Sequence, residues 1–396
     1  MRPPHRILNR NHVHRLAAEH LQSHLQFRDY KRKTSAQVLW TLLLATAARI
    51  TSLSDACLRL RDAPSDETAR KALLATLPDY ATLQRQLNAA LAGYLSKALR
   101  KRLQRVAIDL TLIPYHGEPF RDPKEVYRSL AKDGTSHFHA YATAYVVLKG
   151  QRFTVALTAV ARGEPLKGVV RRLLEQARSV GIKPRLLLLD RGFYSVDVIR
   201  YLQAARCPFL MPVLLRGRKA DDPRGPSGTR AFAAMKRSGW LEHTVTNTAE
   251  DRTARVSICV ACRNYRGQWG RHGRQTLVYA CWGLGRHSYA WVRETYRARF
   301  GIESSYRQMN QARGRTSTRR PELRLLYVGL ALVLRNEWVW LHYQVLSTPR
   351  RGGRLINPGR LRLRAMLHWL LQVIEEAFGT VAATQTERQV CSELLR

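Results

Sequence analysis

The chain has 396 residues, 45% of them hydrophobic, so it can bury a sizeable core and is expected to form more than one domain rather than a disordered chain. Its 67 Lys and Arg against 29 Asp and Glu give a formal net charge of +38, which favours nucleic acid as the partner. No apolar run reaches the roughly 20 residues of a membrane helix, and the N-terminus lacks the apolar core of a signal peptide. We therefore expect no membrane partner and a cytoplasmic, nucleoid-associated location.

Residues 1–100 are predicted to form a helical N-terminal DNA-binding domain. Apolar residues recur at helical spacing between residues 38 and 91, and Ser54 and Ser65 are each followed by Asp, as is typical of helix starts. The cations on these helices favour DNA binding about as strongly as they favour an ordinary solvated face.

The pattern changes to strands after residue 105. Apolar or alternating segments at residues 106–113, 139–148 and 153–160 predict three strands, and Lys149-Gly150 supplies the turn between the last two. This run has the form of a three-stranded meander.

Helices and strands then alternate. The sequence predicts a glycine-ended helix at 168–181, a buried strand at 185–190, a helix at 195–205 and a strand at 209–213. Three strands followed by helix, strand and helix is the order of the ribonuclease H-like fold. We therefore predict an α/β fold whose catalytic domain begins with residues 101–213.

The catalytic domain is predicted to be interrupted by a β-rich insertion at residues 214–289, because strand patterns there follow a Gly/Pro-rich charged loop. Its second part is predicted at 290–346 and includes a helix at 296–310. A helical C-terminal region at 347–396, with an amphipathic helix suited to docking or dimerisation, completes the predicted organisation.

Three acids stand out in this basic chain: Asp109, Asp190 and Glu303. Asp109 lies inside an apolar strand, where a carboxylate is costly unless it is paired or binds metal. Asp190 ends the fourth strand, which would bring it beside Asp109 in a sheet. Carboxylates from three elements are the ligands that a hard cation such as Mg²⁺ prefers, and two such cations can drive in-line attack on a phosphate. The alternative reading is that these acids are caps or ion-pair partners of arginines.

The segment around Glu303 shows helical spacing. Tyr296, Arg299, Glu303, Arg307 and Asn310 are separated by three, four, four and three residues, so in one helix they would share one face. Such a face can offer Glu303 to metal while its neighbours bind phosphates or an unpaired nucleotide.

These motifs resemble those of the DDE transposases of the insertion-sequence-four group. The signature of that group is Tyr-x2-Arg-x3-Glu-x6-Lys: Tyr296, Arg299 and Glu303 match it in type and spacing, and Asn310 stands in the Lys position. The group's Asp-Arg-Gly-Phe motif matches residues 190–193. The similarity extends over about residues 100–340.

The resemblance implies cut-and-paste transposition: nicking at the element ends, attack of the freed 3′-hydroxyl to form a hairpin, hairpin opening, and strand transfer. It implies catalysis by Asp109, Asp190 and Glu303 with two Mg²⁺ ions, for which Mn²⁺ can substitute. The implied partners are DNA, namely the terminal inverted repeats and the target, and a second copy of the chain in a synaptic complex.

The resemblance also implies DNA contacts. In the group, the signature Tyr, Arg and Lys bind phosphates around the hairpin, so Arg307 or Arg313 would supply the cation that Asn310 lacks. Arg191 is expected to contact DNA from the second acidic motif. An aromatic residue of the insertion stacks on a flipped base in the group, and Trp269 and Trp282 are the two options here, although packing in the core is the commoner role of such residues.

Two alternatives remain at this point. A ribonuclease H-like nuclease or resolvase would use the same acids without strand transfer. A DNA-binding derivative of a transposase would keep the basic surface and lose cleavage. The three intact acids disfavour the derivative, and the insertion with its Tyr-Arg-Glu segment disfavours the nuclease.

Overall fold

A computed structural model describes residues 7–267, 272–351 and 353–381. Its contacts divide the chain into two compact units. One consists of Met1–Ala90 with Gln308–Arg396, and the other is Leu91–Arg307.

Helices precede the first strand. They are α1 (Arg10–His24), α2 (Ala36–Arg49), α3 (Leu53–Arg59), α4 (Asp66–Thr76), α5 (Tyr80–Gly93) and α6 (Lys97–Lys101). Ser35, Ser52 and Ser65 cap α2, α3 and α4 by accepting a backbone N–H bond at each N-terminus. Among the described residues no single helix is long and apolar enough to cross a membrane; by length and composition alone, the pair α2 and α3, bent by 101°, passes that test.

The last third of the chain contributes α12 (Pro321–Trp340), β10 (Thr348–Arg350), β11 (Gly353–Leu355) and α13 (Leu363–Phe378). The helix predicted at the C-terminus is thus confirmed, and it packs against α1 and α2 of the same unit. Its buried face recurs at helical spacing and comprises Leu363, Met366, Leu367, Leu370 and Ile374. Salt bridges from Arg49 to Glu375 and from Arg10 to Glu376 fasten its C-terminal half.

The other unit is built on a mixed sheet. Its strands are β1 (Leu103–Pro114), β2 (Tyr127–Lys132), β3 (Thr135–Val146), β4 (Thr154–Val160), β5 (Lys183–Leu189), β6 (Phe209–Pro212), β7 (Gly239–Asn247), β8 (Arg252–Arg266) and β9 (His272–Trp282). Its helices are α7 (Leu166–Ser179), α8 (Val196–Ala204), α9 (Thr229–Ala234), α10 (Tyr289–Arg297) and α11 (Gly301–Met309), the last two residues of which are assigned to the first unit. In the described residues the strand order is β2-β3-β1-β5-β6-β9-β8-β7, and β4 also pairs with β3.

The centre of this sheet follows the predicted order. β1 pairs with β3 in antiparallel fashion and with β5 in parallel fashion, and β5 pairs in parallel with β6. The last four residues of β5 are leucines and all four are buried, which suits a strand covered on both faces. The helix predicted at 168–181 is α7; Gly181, at φ +84°, ends it, and Ile182 N–H donates back to Ala177 at 2.9 Å. The α/β prediction is confirmed.

The predicted insertion does not form a separate sheet. β9 pairs with β6, and β8 and β7 follow it, so the strands after residue 238 prolong the main sheet. A further strand, β2, was not predicted. Its hairpin with β3 turns at Asp133-Gly134, both with positive φ, which is the dipeptide signal for a tight turn.

Candidate active site

Asp109 and Asp190 meet because β1 and β5 are neighbouring parallel strands. Ile108 pairs with Leu189, so the residue after each belongs to the same end of the sheet. Asp109 is still within β1, where its side chain is 16% exposed, and Asp190 has just left β5, where its side chain is 46% exposed. The predicted juxtaposition of these two carboxylates is confirmed by this pairing.

The helix predicted at 296–310 is not continuous, and this prediction was wrong. α10 ends at Arg297, a 3-10 turn spans Ala298–Phe300, and α11 begins at Gly301. The turn interrupts the α-helix, yet Tyr296, Arg299 and Glu303 still lie together, because the Arg299 guanidinium contacts both the Tyr296 ring and Glu303. The rest of the predicted face differs: Arg307 is exposed whereas Arg299 is 4% exposed, and Asn310 lies beyond the end of α11.

The guanidinium of Arg299 joins the three acids. Its Nη1 donates to Asp109 Oδ2 at 3.0 Å, and its Nη2 lies 3.2 Å from Glu303 Oε1 and 3.4 Å from Asp190 Oδ1. The side chains of Asp190 and Glu303 are nearly half exposed, so one side of this cluster faces solvent. The predicted acids therefore converge on a single buried cation.

Burial and charge oppose each other at this cluster. Burial raises the pKa of Asp109 to about 6, although the Arg299 charge works in the opposite direction. Burial would lower the pKa of Arg299, yet Tyr296 and the three carboxylates raise it above its ordinary value. At neutral pH the arginine is therefore charged, and it compensates carboxylates that would otherwise repel each other.

Aromatic rings frame the other side of Arg299. Its guanidinium carbon lies 5.5 Å from the ring centres of both Tyr296 and Phe300, which is within the range of cation–π attraction. Its Nε is buried and has no hydrogen-bond partner among the described residues. The side chain is thus held by charge and ring contacts without full hydrogen bonding.

Tyr306 supports the strand that carries Asp109. Its hydroxyl donates to the Asp109 carbonyl oxygen at 2.8 Å and lies 2.8 Å from the Thr143 hydroxyl on the neighbouring strand β3. Both hydroxyls are buried, so these bonds tie α11 to β1 and β3 without competition from water.

The donors suit a divalent cation in kind, because three carboxylates are the hard oxygen ligands that Mg²⁺ prefers. Among the described residues, however, no three acid, histidine or cysteine side chains stand close enough together to form a ligand set. The guanidinium of Arg299 fills the place between the carboxylates. A cation bound by all three would take over the contacts that Arg299 now makes.

The remaining predicted contacts lie around this centre or farther along the chain. Arg191 is exposed in the 3-10 turn that follows Asp190. Asn310 follows α11 and accepts a bond from Arg313 Nε at 3.2 Å. Trp282 is half-buried at the end of β9, and Trp269 lies outside the described residues.

A cavity of about 550 Å³ opens beside Arg191 and Tyr296. Three further aromatic rings line it, from Tyr265 on β8, Tyr279 on β9 and Phe300, whereas Trp282 does not. Its volume is typical of ligand sites, and its apolar lining is ringed by cations. The cavity arginines are Arg191, Arg263, Arg293 and Arg297, with Glu294 as the acid among them.

The family assignment rests on the sequence of this sheet and its flanks. The family described as the transposase DDE domain matches residues 100–336, which is more than half of the chain. The chain belongs to this family. The protein is therefore a DNA transposase, an enzyme that cleaves and transfers DNA with the help of divalent metal ions.

A solved structure shares the fold of the transposase. It is a cryo-EM structure of the piggyBac transposase synaptic complex with hairpin DNA; the similarity has a TM-score of 0.52 at 12% identity and covers 100% of this chain and 86% of that one. At this identity the likeness shows an α/β transposase fold and nothing finer. No curated protein matches the sequence.

Some residues of the transposase site were not predicted. Tyr306 sits three residues after Glu303, and its role depends on a bond to a backbone carbonyl, which no sequence pattern reveals. Tyr279 stands in an apolar run of β9, a pattern that also fits core packing, and Tyr265 lies between Asn264 and Arg266 on β8, where the sequence gives no distinct signal. The sequence did indicate a part of the arginine cluster, because residues 293–299 are rich in Arg and include the cavity residues Arg293 and Arg297.

We expect Tyr306→Phe to lower the melting temperature of the transposase. The change leaves the Thr143 hydroxyl and the Asp109 carbonyl without this buried partner, a loss of about 1–3 kcal/mol. Tyr289→Phe is the control, because that tyrosine is exposed. Equal melting temperatures for the two variants would mean that the Tyr306 hydroxyl contributes nothing.

Proposed function

We propose that the transposase moves an insertion sequence by cut-and-paste transposition, with Asp109, Asp190 and Glu303 as its catalytic acids. The observation that carries this proposal is the convergence of these three carboxylates on one cation at the end of two parallel strands. The proposed cofactor is a pair of Mg²⁺ ions, for which Mn²⁺ can substitute.

The acids would hold the cations through their carboxylate oxygens, with Asp109 as the buried anchor and the half-exposed Asp190 and Glu303 facing the substrate. When bound, such ions activate a water or a 3′-hydroxyl and stabilise the leaving oxygen. Tyr306 would keep Asp109 in place by fixing its backbone. The chain thereby positions the reacting phosphate, and one site serves nicking, hairpin formation, hairpin opening and strand transfer.

We assign the enzyme to the insertion-sequence-four group, with a ribonuclease H-like catalytic domain. Tyr296, Arg299 and Glu303 match the signature of the group, and the order β4-β3-β1-β5-β6 with helices after β4 and β5 supports the fold. Asn310, in the Lys position, is the departure from the signature. Arg307, exposed on α11, is the cation that would take its place at the hairpin phosphates.

We propose that Arg299 exchanges partners during the reaction. Without metal it neutralises the acids, and its Nε has no hydrogen-bond partner among the described groups. Once the acids bind metal, the guanidinium loses this attraction and can turn towards a DNA phosphate, which offers paired acceptors in bidentate geometry. Metal loading and phosphate binding would then be coupled through one side chain.

We further propose that the cavity beside Tyr296 takes a base flipped out near the hairpin. Its four aromatic rings offer stacking surfaces, and its arginines offer contacts to the phosphates on either side. Tyr265 replaces Trp282 as the proposed stacking residue, since the cavity includes Tyr265 and excludes Trp282. Trp269, four residues after Tyr265, remains a second option.

The remaining proposals concern assembly. DNA, as terminal inverted repeats and target, is the partner, with residues 1–100 as a DNA-binding region. Two copies would process the two ends together in a synaptic complex, with residues 347–396 available for dimerisation. We propose a cytoplasmic, nucleoid-associated location, which the net charge of +38 supports.

Removing any catalytic acid should abolish cleavage while DNA binding persists. Asp109→Asn, Asp190→Asn and Glu303→Gln are expected to lose at least about 1,000-fold in rate, because each deletes a charged ligand of the metals. The measurement is cleavage of a labelled duplex that carries the ends flanking this gene, with Mg²⁺. Nicks, hairpins and transfer products are separated on denaturing gels.

Glu175→Gln is the matched control, since it removes an exposed acid on α7 that pairs only with Arg171 at 4.0 Å. It should cleave at the wild-type rate. Full activity in Glu303→Gln would refute the proposed triad, and cleavage without strand transfer in the intact protein would favour a nuclease.

Arg299→Gln should destabilise the metal-free protein and enlarge its response to metal. The variant leaves Asp109 beside Asp190 without a cation, at an expected cost of about 1–3 kcal/mol, or roughly 2–8 °C in melting temperature. Mn²⁺ should raise the melting temperature of the variant by more than that of the wild type, because metal no longer displaces a guanidinium.

Arg172→Gln is the control for this measurement. Arg172 bonds Glu164, Thr158 and the Ala159 carbonyl in the same unit, at a site without catalytic acids. It should lower stability without changing the response to Mn²⁺. An identical Mn²⁺ response in the wild type and in Arg299→Gln would rule out the exchange.

Tyr265→Leu should weaken base stacking in the cavity. A hairpin duplex with 2-aminopurine at its end reports an unstacked or flipped base by fluorescence. We expect the protein-dependent fluorescence change to fall in Tyr265→Leu and to persist in Trp282→Leu. If the fluorescence change instead persists in Tyr265→Leu and falls in Trp282→Leu, the stacking role belongs to Trp282. If it falls in Trp269→Leu alone, the stacking role belongs to Trp269.

A further inference from the structure

The segment between the end of α12 and the middle of α13 carries cations without acids. From residue 338 to residue 374 the sequence contains no Asp or Glu. Six arginines fall within residues 348–364, which we call the arginine segment: Arg350, Arg351, Arg354, Arg360, Arg362 and Arg364. This is a long acid-free run of positive charge that the active site does not use.

Five of the six arginines are exposed, and Arg354 is half-buried. Along residues 360–364 arginine and leucine alternate: Leu361 and Leu363 are 3% and 4% exposed, and the three arginines between and around them are exposed. Arg360 ends a 3-10 turn, Leu361 and Arg362 have extended backbone angles, and α13 begins at Leu363, so the buried and exposed side chains alternate where one element gives way to the next. The leucines anchor the segment, and the arginines form a row on its surface.

Hydrogen bonds hold this row in place. The Leu361 carbonyl accepts from Trp338 Nε1 at 2.8 Å and from His342 Nε2 at 2.7 Å, which fixes the backbone between Arg360 and Arg362. Arg360 Nη1 itself donates to the Leu346 carbonyl at 2.6 Å. The row is therefore presented on a rigid base, so binding a ligand costs little ordering of the backbone.

No acid neutralises the row within the part of the chain that the structure describes. None of the ion pairs found there involves an arginine of the segment. The nearest acids in sequence, Glu375 and Glu376, pair with Arg49 and Arg10. The N-terminus of α13, which begins at Leu363, adds its own partial positive charge.

We propose that the arginine segment binds the phosphate backbone of duplex DNA, as a contact separate from the one at the catalytic acids. The proposal rests on the transposase function only for the statement that DNA is present; the binding itself needs neither metal nor cleavage. Guanidinium groups pair with phosphate oxygens in bidentate geometry, and each phosphate neutralised releases counterions. The contact is independent of base sequence.

A second copy of the chain fits the segment less well. Two identical rows of arginines repel each other, and the segment exposes one large apolar side chain, Leu355, at 54%. A protein interface normally surrounds a larger apolar centre with its charges. Duplex DNA supplies the opposite charge along its whole length.

The test is the salt dependence of binding to a labelled duplex of unrelated sequence, measured by fluorescence anisotropy with full-length protein in EDTA. Combined Arg360→Gln, Arg362→Gln and Arg364→Gln should reduce the slope of log K against log salt by about 2–3, since each lost phosphate contact removes about 0.9. Binding at fixed salt should weaken by about tenfold or more.

The control carries the same loss of three charges elsewhere. Arg171→Gln, Arg224→Gln and Arg255→Gln remove exposed arginines that already pair with Glu175, Asp222 and Glu242. This control should leave the slope near that of the wild type. Melting curves of both triple variants verify that the fold is retained.

Three results are decisive. An equal loss of slope in both triple variants would show that net charge matters and position does not, which overturns the proposal. An unchanged slope together with altered sedimentation of the first variant would assign the segment to self-association instead. A slope reduced in the first triple variant alone supports the proposal even if the catalytic proposal fails, because binding in EDTA does not depend on metal or on cleavage.

Discussion

One buried guanidinium determines the arrangement of the catalytic unit. Arg299 lies within 3.4 Å of acids from β1, from the turn after β5 and from α11, so it fixes three elements at one point. Carboxylates that lie close together repel one another, and the cation between them offsets this repulsion. The parallel pairing of β1 with β5 supplies two of them, and the interrupted helix supplies both the third and the arginine.

The same interaction explains how a chain of net charge +38 keeps a negative site. A strongly basic surface draws DNA but also offers many partners that could capture a carboxylate. Here the acids meet at the end of the sheet around the buried guanidinium of Arg299, whereas the arginines Arg191, Arg263, Arg293 and Arg297 line the cavity. One buried cation thus pairs with the acids, and the cavity arginines remain for the DNA.

Much of the fold could be predicted from the sequence because its strands are strongly patterned. The buried run of leucines in β5 and the glycine after α7 are local signals, and both matched the structure. The convergence of Asp109 with Asp190 followed from strand order. The break at Ala298–Phe300 could not be predicted, since helical spacing is compatible with every residue there and the burial of Arg299 between distant acids decides the outcome.

The continuous sheet fixes the distance between the acids and the proposed stacking site. β5, β6, β9 and β8 are joined side by side by backbone bonds, and Cys259 is the β8 residue level with the end of β5. Tyr265 therefore stands three strand spacings, about 14 Å, across the sheet from the strand that ends at Asp190, and six residues, about 20 Å, farther along β8. Such a sheet resists stretching. The distance between the proposed stacking site and the acids is therefore fixed. That distance would set how many nucleotides separate the displaced base from the bond that is cut.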